Sequence, residues 1–477
     1  MISTNMIQRR LTASPLHRFT DSPIHRFSVS PFLLAILVSI ISSCSLEQKI
    51  ATVAKKTIIT DSTFLNTHVG LSVFDPETGK QLFGHQSDKL FTPASNTKIY
   101  SCYAAMTYLP SKLPAAYITD VDTAVVITPT GDPSFLMPDF TTHPFFDKLK
   151  SINKPLYILN NNWKSSALGA GWSWDDYSEY YMTERSAFPV YGNQINWYME
   201  KSKKENPSYP GDTVDVMIYS DPELEWPVNF SSTKKNEFYV ERALHTNSFT
   251  LYEGKEQSAV EQVPFITNGI QTGITLLKDS LHKEIRIADE DLEKAVKKFK
   301  ADTCYSQPTD SLLKIMMYRS DNFFADQCLE MVSQRKFNIM DESVIIKDLL
   351  KNDLASLPQK PTWVDGSGLS RYTMFSPDDM IFILNKIKQE QPWERIKTIL
   401  PHEGVGTLTM YKSNSNAKEF IYAKSGSLGN VLTLSGFLHT KKDKWLIFSV
   451  MINNTDMPFK RIRKQINAFL NGIAELK

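Results

Sequence analysis

Strand-like runs stand at both ends of this chain, and that arrangement limits the folds open to it. From His68 the segment HVGLSVFD alternates apolar and polar residues, PETGK supplies a turn, and KQLFGHQ alternates again, the pattern of a β-hairpin. Residues 421 to 453 give three more runs, IYAKSG, VLTLSGFLHT and, around a KKDK turn, KWLIFSVMIN; a basic amphipathic helix follows from Pro458 to Leu476. Strands at the two ends with helices between them predict an antiparallel sheet closed by joining the ends, with helices on its faces. The fold class expected is therefore an α+β core.

The chain has 477 residues, more than one core usually holds, so a second domain or a large insertion is expected. Residues 113 to 301 carry many aromatics, short runs such as TAVVITP and DTVDVMIYS, and turn clusters such as TGDPS and NPSYPGD. They read as an inserted β-rich module between two parts of the core, 44 to 112 and 302 to 477. Helical periodicity returns near Asp310 with SLLKIMMYRSDNFFADQCLEMVSQ.

Residues 1 to 43 stand outside the fold. Arg9, Arg10, Arg18 and Arg26 precede the apolar run Phe32 to Ile41, too short to span a bilayer and suited to a signal-peptide core. The ending Ile41-Ser42-Ser43-Cys44 resembles a bacterial lipoprotein signal, in which Cys44 becomes the lipidated first residue; the alternative is a plain secretory signal with a chance cysteine. Upstream, SPLHRF (14 to 19) and SPIHRF (22 to 27) repeat with a period of eight, which suggests a translation start downstream of Met1. The expected location is the periplasm or cell envelope.

Lys+Arg 53 against Asp+Glu 52 leaves no bulk field to draw the chain to nucleic acid, and any membrane contact is expected through the lipid alone. After Cys44 only Cys102, Cys304 and Cys328 remain, without C-x-x-C spacing, which argues against a disulfide framework and a zinc site. Cys304 and Cys328 could pair or remain buried thiols. The histidines form no H-E-x-x-H. No metal or cofactor is implied.

The stretch FTPASNTKIY (91 to 100) offers a nucleophile. As a plain helix start, Pro93 fixes φ and Ser95 or Asn96 can cap. As chemistry, Ser95 and Lys98 share a helix face, and a buried lysine amine can take the serine's proton. Ser151, Ser311 and Ser333 also stand three residues before a lysine, so the pattern needs partners. Ser320-Asp321-Asn322 and Lys424-Ser425-Gly426 supply them: S-x-x-K, S-D-N and K-[ST]-G in this order are the set of serine acyl-enzymes that react with penicillin. In that chemistry Ser95 attacks a carbonyl, Lys98 accepts its proton, and Ser320 relays a proton to the departing amine. Asn322 holds the substrate amide, and Lys424 contributes positive charge. The N–H groups of Ser95 and Ser427 are expected to bind the oxyanion.

VGLSVFDPETGKQLFGHQSDKLFTPASNTK, TGDPSF (130 to 135), GWSWDD (171 to 176), VDGSGLSRYTMFSP (364 to 377), LPHEGVGTL (400 to 408) and AKSGSLGNV (423 to 431) extend the likeness from about residue 66 to 470. Together they resemble the D-alanyl-D-alanine carboxypeptidase/endopeptidase family of low-molecular-mass penicillin-binding proteins, the peptidase S13 type. The resemblance implies a D-Ala-D-Ala carboxypeptidase acting on peptidoglycan stem peptides, inhibited by β-lactams, with inserted domains between its first two motifs; here 225 residues separate Ser95 from Ser320. It implies catalytic roles for Ser95, Lys98, Ser320, Asn322 and Lys424, and substrate contacts from Ser425, Gly426 and Ser427. The loop from Asp365 through Gly366 and Ser367 to Ser370 would lie at the rim of the site, with Arg371 against the stem. Two departures stand out: Ser425 replaces the usual threonine, and LNNNWKSS (159 to 166) lacks an expected acidic residue.

Two rival readings share the fold. A β-lactamase must hydrolyse its acyl-enzyme quickly, and the E-x-x-L-N carboxylate device is absent from this chain. A non-catalytic penicillin-binding or wall-binding protein would have kept the fold without needing every reactive residue, yet all of them are present.

Overall fold

The computed structural model describes residues 45–205, 212–414 and 419–476. The leader, its repeats and Cys44 lie outside the described residues.

A five-stranded antiparallel sheet runs in the order Ile421–Leu428, Val431–His439, Trp445–Asn453, His68–Asp75, Lys80–His85. The join between the two ends is the ladder from His68↔Asn453 to Phe74↔Ile447. Side-chain alternation divides each central strand between two cores. Leu446, Phe448, Val450 and Ile452 pack with the helices Leu46–Ala54 and Phe459–Ala474 on one face. Ile447 and Met451 face the main helical layer on the other. Because both faces are covered, the strands read as nearly continuous apolar runs.

At the centre of that layer lies the helix Lys98–Tyr108, whose residues Lys98 to Met106 are all buried. A helix apolar on every side is one enclosed on every side. The helices Thr309–Arg319, Asn322–Phe337 and Pro377–Glu390 surround it. Beneath its first turn the sheet carries a polar row in register across four strands: Lys424, Ser435, Ser449 and Ser72. Ser435 Oγ and Ser449 Oγ lie 2.9 Å apart, and Ser72 Oγ donates to Asp378 Oδ1 at 2.8 Å. Small hydrogen-bonded side chains let the helix start come close to the sheet without stranding polar atoms.

The inserted segment has two parts. The first is a mixed sheet in the order Ile285–Ile287, Leu156–Ile158, Val125–Pro129, Lys112–Asp120, Asp302–Pro308, with helices Pro144–Ser151, Gln271–Leu281 and Glu290–Val296. Two of its pairings are parallel, so this part is α/β in character and only the remainder fits the expected β-rich description. The remainder is a pair of three-stranded sheets around Trp197, Phe249 and Phe265. The segment departs along Lys112–Asp120 and returns beside it along Asp302–Pro308, Lys112 facing Pro308. The helix Thr309–Arg319 follows directly on that returning strand. Cys102, Cys304 and Cys328 are free thiols.

The insertion is tied to the core by a buried ion pair between Arg185 and Glu342. The guanidinium also lies over the Trp172 ring, 5.4 Å from its centroid, and Glu342 Oε1 accepts from Gly366 N at 2.9 Å. Removing one partner leaves a charge in a dry interior. Glu342→Gln should lower the unfolding free energy by about 3–5 kcal/mol in urea titration, whereas Arg185→Met with Glu342→Leu should recover most of it. A single substitution costing less than about 1 kcal/mol would show that the pair does not hold the two parts together.

Candidate active site

Ser95 sits on a 3-10 turn, Ala94–Thr97, that leads into the buried helix. Neither Ser95 nor Asn96 caps the helix, contrary to the plain helix-start reading: the helix has no side-chain cap, and both side chains are committed elsewhere. Asn96 is fully buried and bridges Lys424 O (2.7 Å) and Ser435 Oγ (2.8 Å) with its amide. The turn is held under strain, with Ala94 at φ +47°. Gly368 (φ +77°) presses on it so closely that a Cβ there would lie 2.0 Å from Ala94 O.

Lys98 Nζ reaches Asn322 Oδ1 at 2.6 Å, Ser367 O at 2.8 Å and Ser95 Oγ at 3.0 Å. Two of these partners can only accept. In its neutral form the amine therefore spends both N–H groups on them and aims its lone pair at the Ser95 hydroxyl. Burial favours that form and brings its pKa down to about 8, with nearby Asp326, Asp365 and Asp321 opposing the shift.

Ser320 breaks the periodic stretch that the sequence shows between Asp310 and Gln334. It occupies a left-handed conformation (φ +63°) closing Thr309–Arg319, and Asp321 then caps Asn322–Phe337 by accepting from Phe324 N at 2.9 Å. S-D-N is thus a capping tripeptide as well as a site motif. Ser320 Oγ accepts from Lys424 Nζ at 2.9 Å. Asn322 Nδ2 donates to Tyr181 O of the insertion at 2.9 Å, which orients its amide oxygen toward Lys98.

Lys424 is fully buried, and its other bond goes to Ser425 O at 2.6 Å. Burial and the nearness of Lys98 push its pKa well below the usual lysine range. These surroundings oppose a standing positive charge at Lys424, and an approaching carboxylate would favour the charged form. Gly426 needs to be glycine, since a Cβ would stand 2.7 Å from Pro93 O and 2.9 Å from Ser95 N. Its strand is the sheet edge, so Ser427 beside it lies where one row of backbone groups faces outward.

The loop expected at the rim lies deeper. Asp365 and Ser367 are fully buried, and Gly366 is enclosed with them. The Asp365 carboxylate accepts from Ser370 N (2.7 Å), Trp172 Nε1 (2.9 Å), Thr373 Oγ1 (3.0 Å) and Gly368 N (3.1 Å). These residues support Lys98 from behind, because a carboxylate so fully supplied with donors is stable inside the protein. Gly368, Leu369, Arg371 and Tyr372 line the cleft. Arg371 is exposed and donates to Gly429 O at 3.3 Å.

The cleft holds about 750 Å³, and Ser95, Ser320, Asn322 and Ser427 line it. Its far wall comes from the insertion through Asp176, Tyr180 and Tyr181. Sequence reasoning assigned these no role; the only signal was the segment GWSWDD, which carries no chemistry by itself.

A serine hydroxyl facing a buried amine, a second serine–lysine pair and an open strand edge form an arrangement suited to serine acyl transfer. The D-Ala-D-Ala carboxypeptidase 3 (S13) family model matches residues 51–473, and the chain belongs to that family. It is 23% identical over 358 residues to the D-alanyl-D-alanine carboxypeptidase DacB of Haemophilus influenzae, covering 70% of this chain and 72% of that protein. It is 20% identical over 435 residues to the penicillin-sensitive carboxypeptidase A of Dictyostelium discoideum, covering 80% and 82%. The fold matches the crystal structure of penicillin binding protein 4 (dacB) from Haemophilus influenzae with a TM-score of 0.67 at 17% identity, over 88% of this chain and 97% of that one.

If the neutral Lys98 amine takes the proton, acylation of Ser95 should climb with pH by about tenfold per unit below the pKa of about 8 and level off above it. Lys98→Ala should lower the rate by about 10²- to 10⁴-fold with the circular dichroism unchanged. Stopped-flow acylation by a chromogenic β-lactam across pH 6 to 10 reads both, and a flat profile would assign the proton to another group.

Proposed function

We propose that Ser95 is the acyl nucleophile of this D-Ala-D-Ala carboxypeptidase. The observation that carries the reading is the Lys98 amine, 3.0 Å from Ser95 Oγ with its two other partners confined to accepting. Ser95 Oγ attacks the carbonyl of the penultimate D-Ala while Lys98 takes the hydroxyl proton. The oxyanion is held by the N–H groups of Ser95 and Ser427, an arrangement whose single donors are worth roughly 10²- to 10³-fold elsewhere. As the C–N bond breaks, Ser320 passes a proton to the departing amine and is resupplied by Lys424, its neighbour at 2.9 Å. Water then attacks the ester along the reverse path and frees Ser95. The substrate's terminal carboxylate is drawn to Lys424 and to the Ser425-Gly426 strand edge, with Arg371 at the rim on the stem side.

The wide cleft supports an accompanying DD-endopeptidase activity, in which the departing amine belongs to a second stem. β-Lactams would enter the same site, since their strained amide reacts with Ser95 as the dipeptide does. With no E-x-x-L-N carboxylate to direct water, the adduct should persist for minutes or longer. The test is intact-mass spectrometry with benzylpenicillin, joined to a D-Ala release assay on a pentapeptide. A lasting adduct on the Ser95 peptide, lost in Ser95→Ala, together with D-Ala release is expected. Rapid penicillin turnover without D-Ala release would instead support a β-lactamase, and neither adduct nor release a non-catalytic binder.

The export signal and Cys44 support a periplasmic, lipid-anchored enzyme at the peptidoglycan. Full-length protein expressed in a bacterium should partition into detergent, and Cys44→Ala should appear in the soluble periplasmic fraction. Equal partitioning of the two forms would remove the anchor from this account.

A further inference from the structure

The catalytic cleft continues beyond Arg319 into a second cavity of about 310 Å³, and Met137, Gln194, Gln262 and Arg319 line both. The floor of this groove is one face of the sheet Ser258–Pro264, Gln194–Glu205, Asp212–Asp221. Ile195, Trp197 and Met199 point into the core of the insertion, so alternation turns Asn196 and Tyr198 outward. Gln262 stands opposite Asn196, and Tyr198 lies between Val260 and Tyr219.

The chemistry of this face is unusual for a bare surface. Tyr198 and Tyr219 stack 5.0 Å apart at 11°, and Tyr219 is 41% exposed. Val260, on the other flank of Tyr198, is 58% exposed. Gln262 Nε2 donates to Asn196 Oδ1 at 2.8 Å, which leaves one amide acceptor and one amide donor for a ligand. Among the described lining residues only Asp139 and Arg319 carry charge, and they neutralise each other through bonds of 2.7 and 3.0 Å.

A groove whose lining offers flat apolar surface, paired amides and no unpaired charge, with Glu200 beyond its edge accepting from the Tyr219 hydroxyl at 2.9 Å, suits a neutral, hydroxyl-rich ligand with apolar ring faces. A second peptide stem fits it poorly, because its carboxylates and amines would meet no counter-charge. We propose that this groove binds the N-acetylated amino sugars to which the stem peptide is attached, so that the enzyme grips glycan and stem together. The inference rests on the carboxypeptidase reading of the neighbouring cleft. An extended five-residue stem spans on the order of 15 Å. The sugar that carries it must therefore lie one cleft away from Ser95, and the groove adjoins that cleft.

The experiment compares D-Ala release from a free pentapeptide with release from the same pentapeptide on its disaccharide. The wild-type enzyme should favour the sugar-linked substrate by about tenfold in kcat/KM, mainly through KM. Tyr198→Ala and, at an exposed position, Val260→Glu should erase most of that advantage while leaving the free pentapeptide and benzylpenicillin acylation unchanged. Saturation-transfer NMR with the free disaccharide provides a readout independent of turnover: a signal with wild-type protein that Val260→Glu abolishes is expected. Equal rates on the two substrates, an advantage that survives both substitutions, or no NMR signal would overturn the glycan site. Loss of D-Ala release from both substrates with the NMR signal intact would overturn the carboxypeptidase reading and leave the groove standing.

Discussion

Two lysine side chains, Lys98 and Lys424, lie wholly inside this protein and make their hydrogen bonds to neutral groups. An ammonium in such a place costs several kcal/mol of lost hydration. The neutral amine is correspondingly cheap, and a neutral amine beside a serine is a base. The surrounding architecture keeps these two groups dry: the enclosed helix carries one, the sheet carries the other, and the Asp365–Ser370 loop closes the back. Asp326, also fully buried and one helical turn beyond Asn322, moderates the effect by favouring the charged form of Lys98. The balance of these influences places Lys98 where it can both gain and lose a proton near neutrality.

Positioning is shared between distant parts of the sequence. Asn96 fastens the turn that carries Ser95 to the strand that bears Lys424, Gly426 allows that strand to approach Ser95, and Tyr181 orients Asn322 from the insertion. The insertion is therefore part of the site as well as its wall. Through Arg185, Glu342 and Gly366 it is also joined to the loop whose Ser367 carbonyl holds Lys98.

The ends of the chain were legible because period-two alternation there is strong and the motifs sit at element boundaries, where capping chemistry and reactive chemistry use the same residue types. Less could be read where the signal is short or ambiguous. Leu156–Ile158 and Ile285–Ile287 are three residues each, too brief to show a period, so the mixed sheet of the insertion was not visible. The break at Ser320 lay inside an unbroken apolar pattern, and a left-handed serine leaves no mark on composition. The resemblance alone placed Asp365 at the rim; the donors that satisfy it in the interior come from Trp172, Gly368, Ser370 and Thr373, and such convergence is a property of the fold. Asp176 and Tyr181 reach the cleft only through the path of the insertion.

The ladder between His68–Asp75 and Trp445–Asn453 has a consequence for biogenesis. During synthesis the first hairpin has one open edge until the last strands of the chain exist, and Lys424 arrives with those strands. Ser95 and Lys98 precede those strands in the sequence, and an amine left in water would keep its ordinary protonated form at neutral pH. The burial that creates the base is completed only when the two ends of the molecule meet. A product that lacked the last strands would lack the enclosure the two lysines share, so the closing strand pair links completion of the chain to completion of the site.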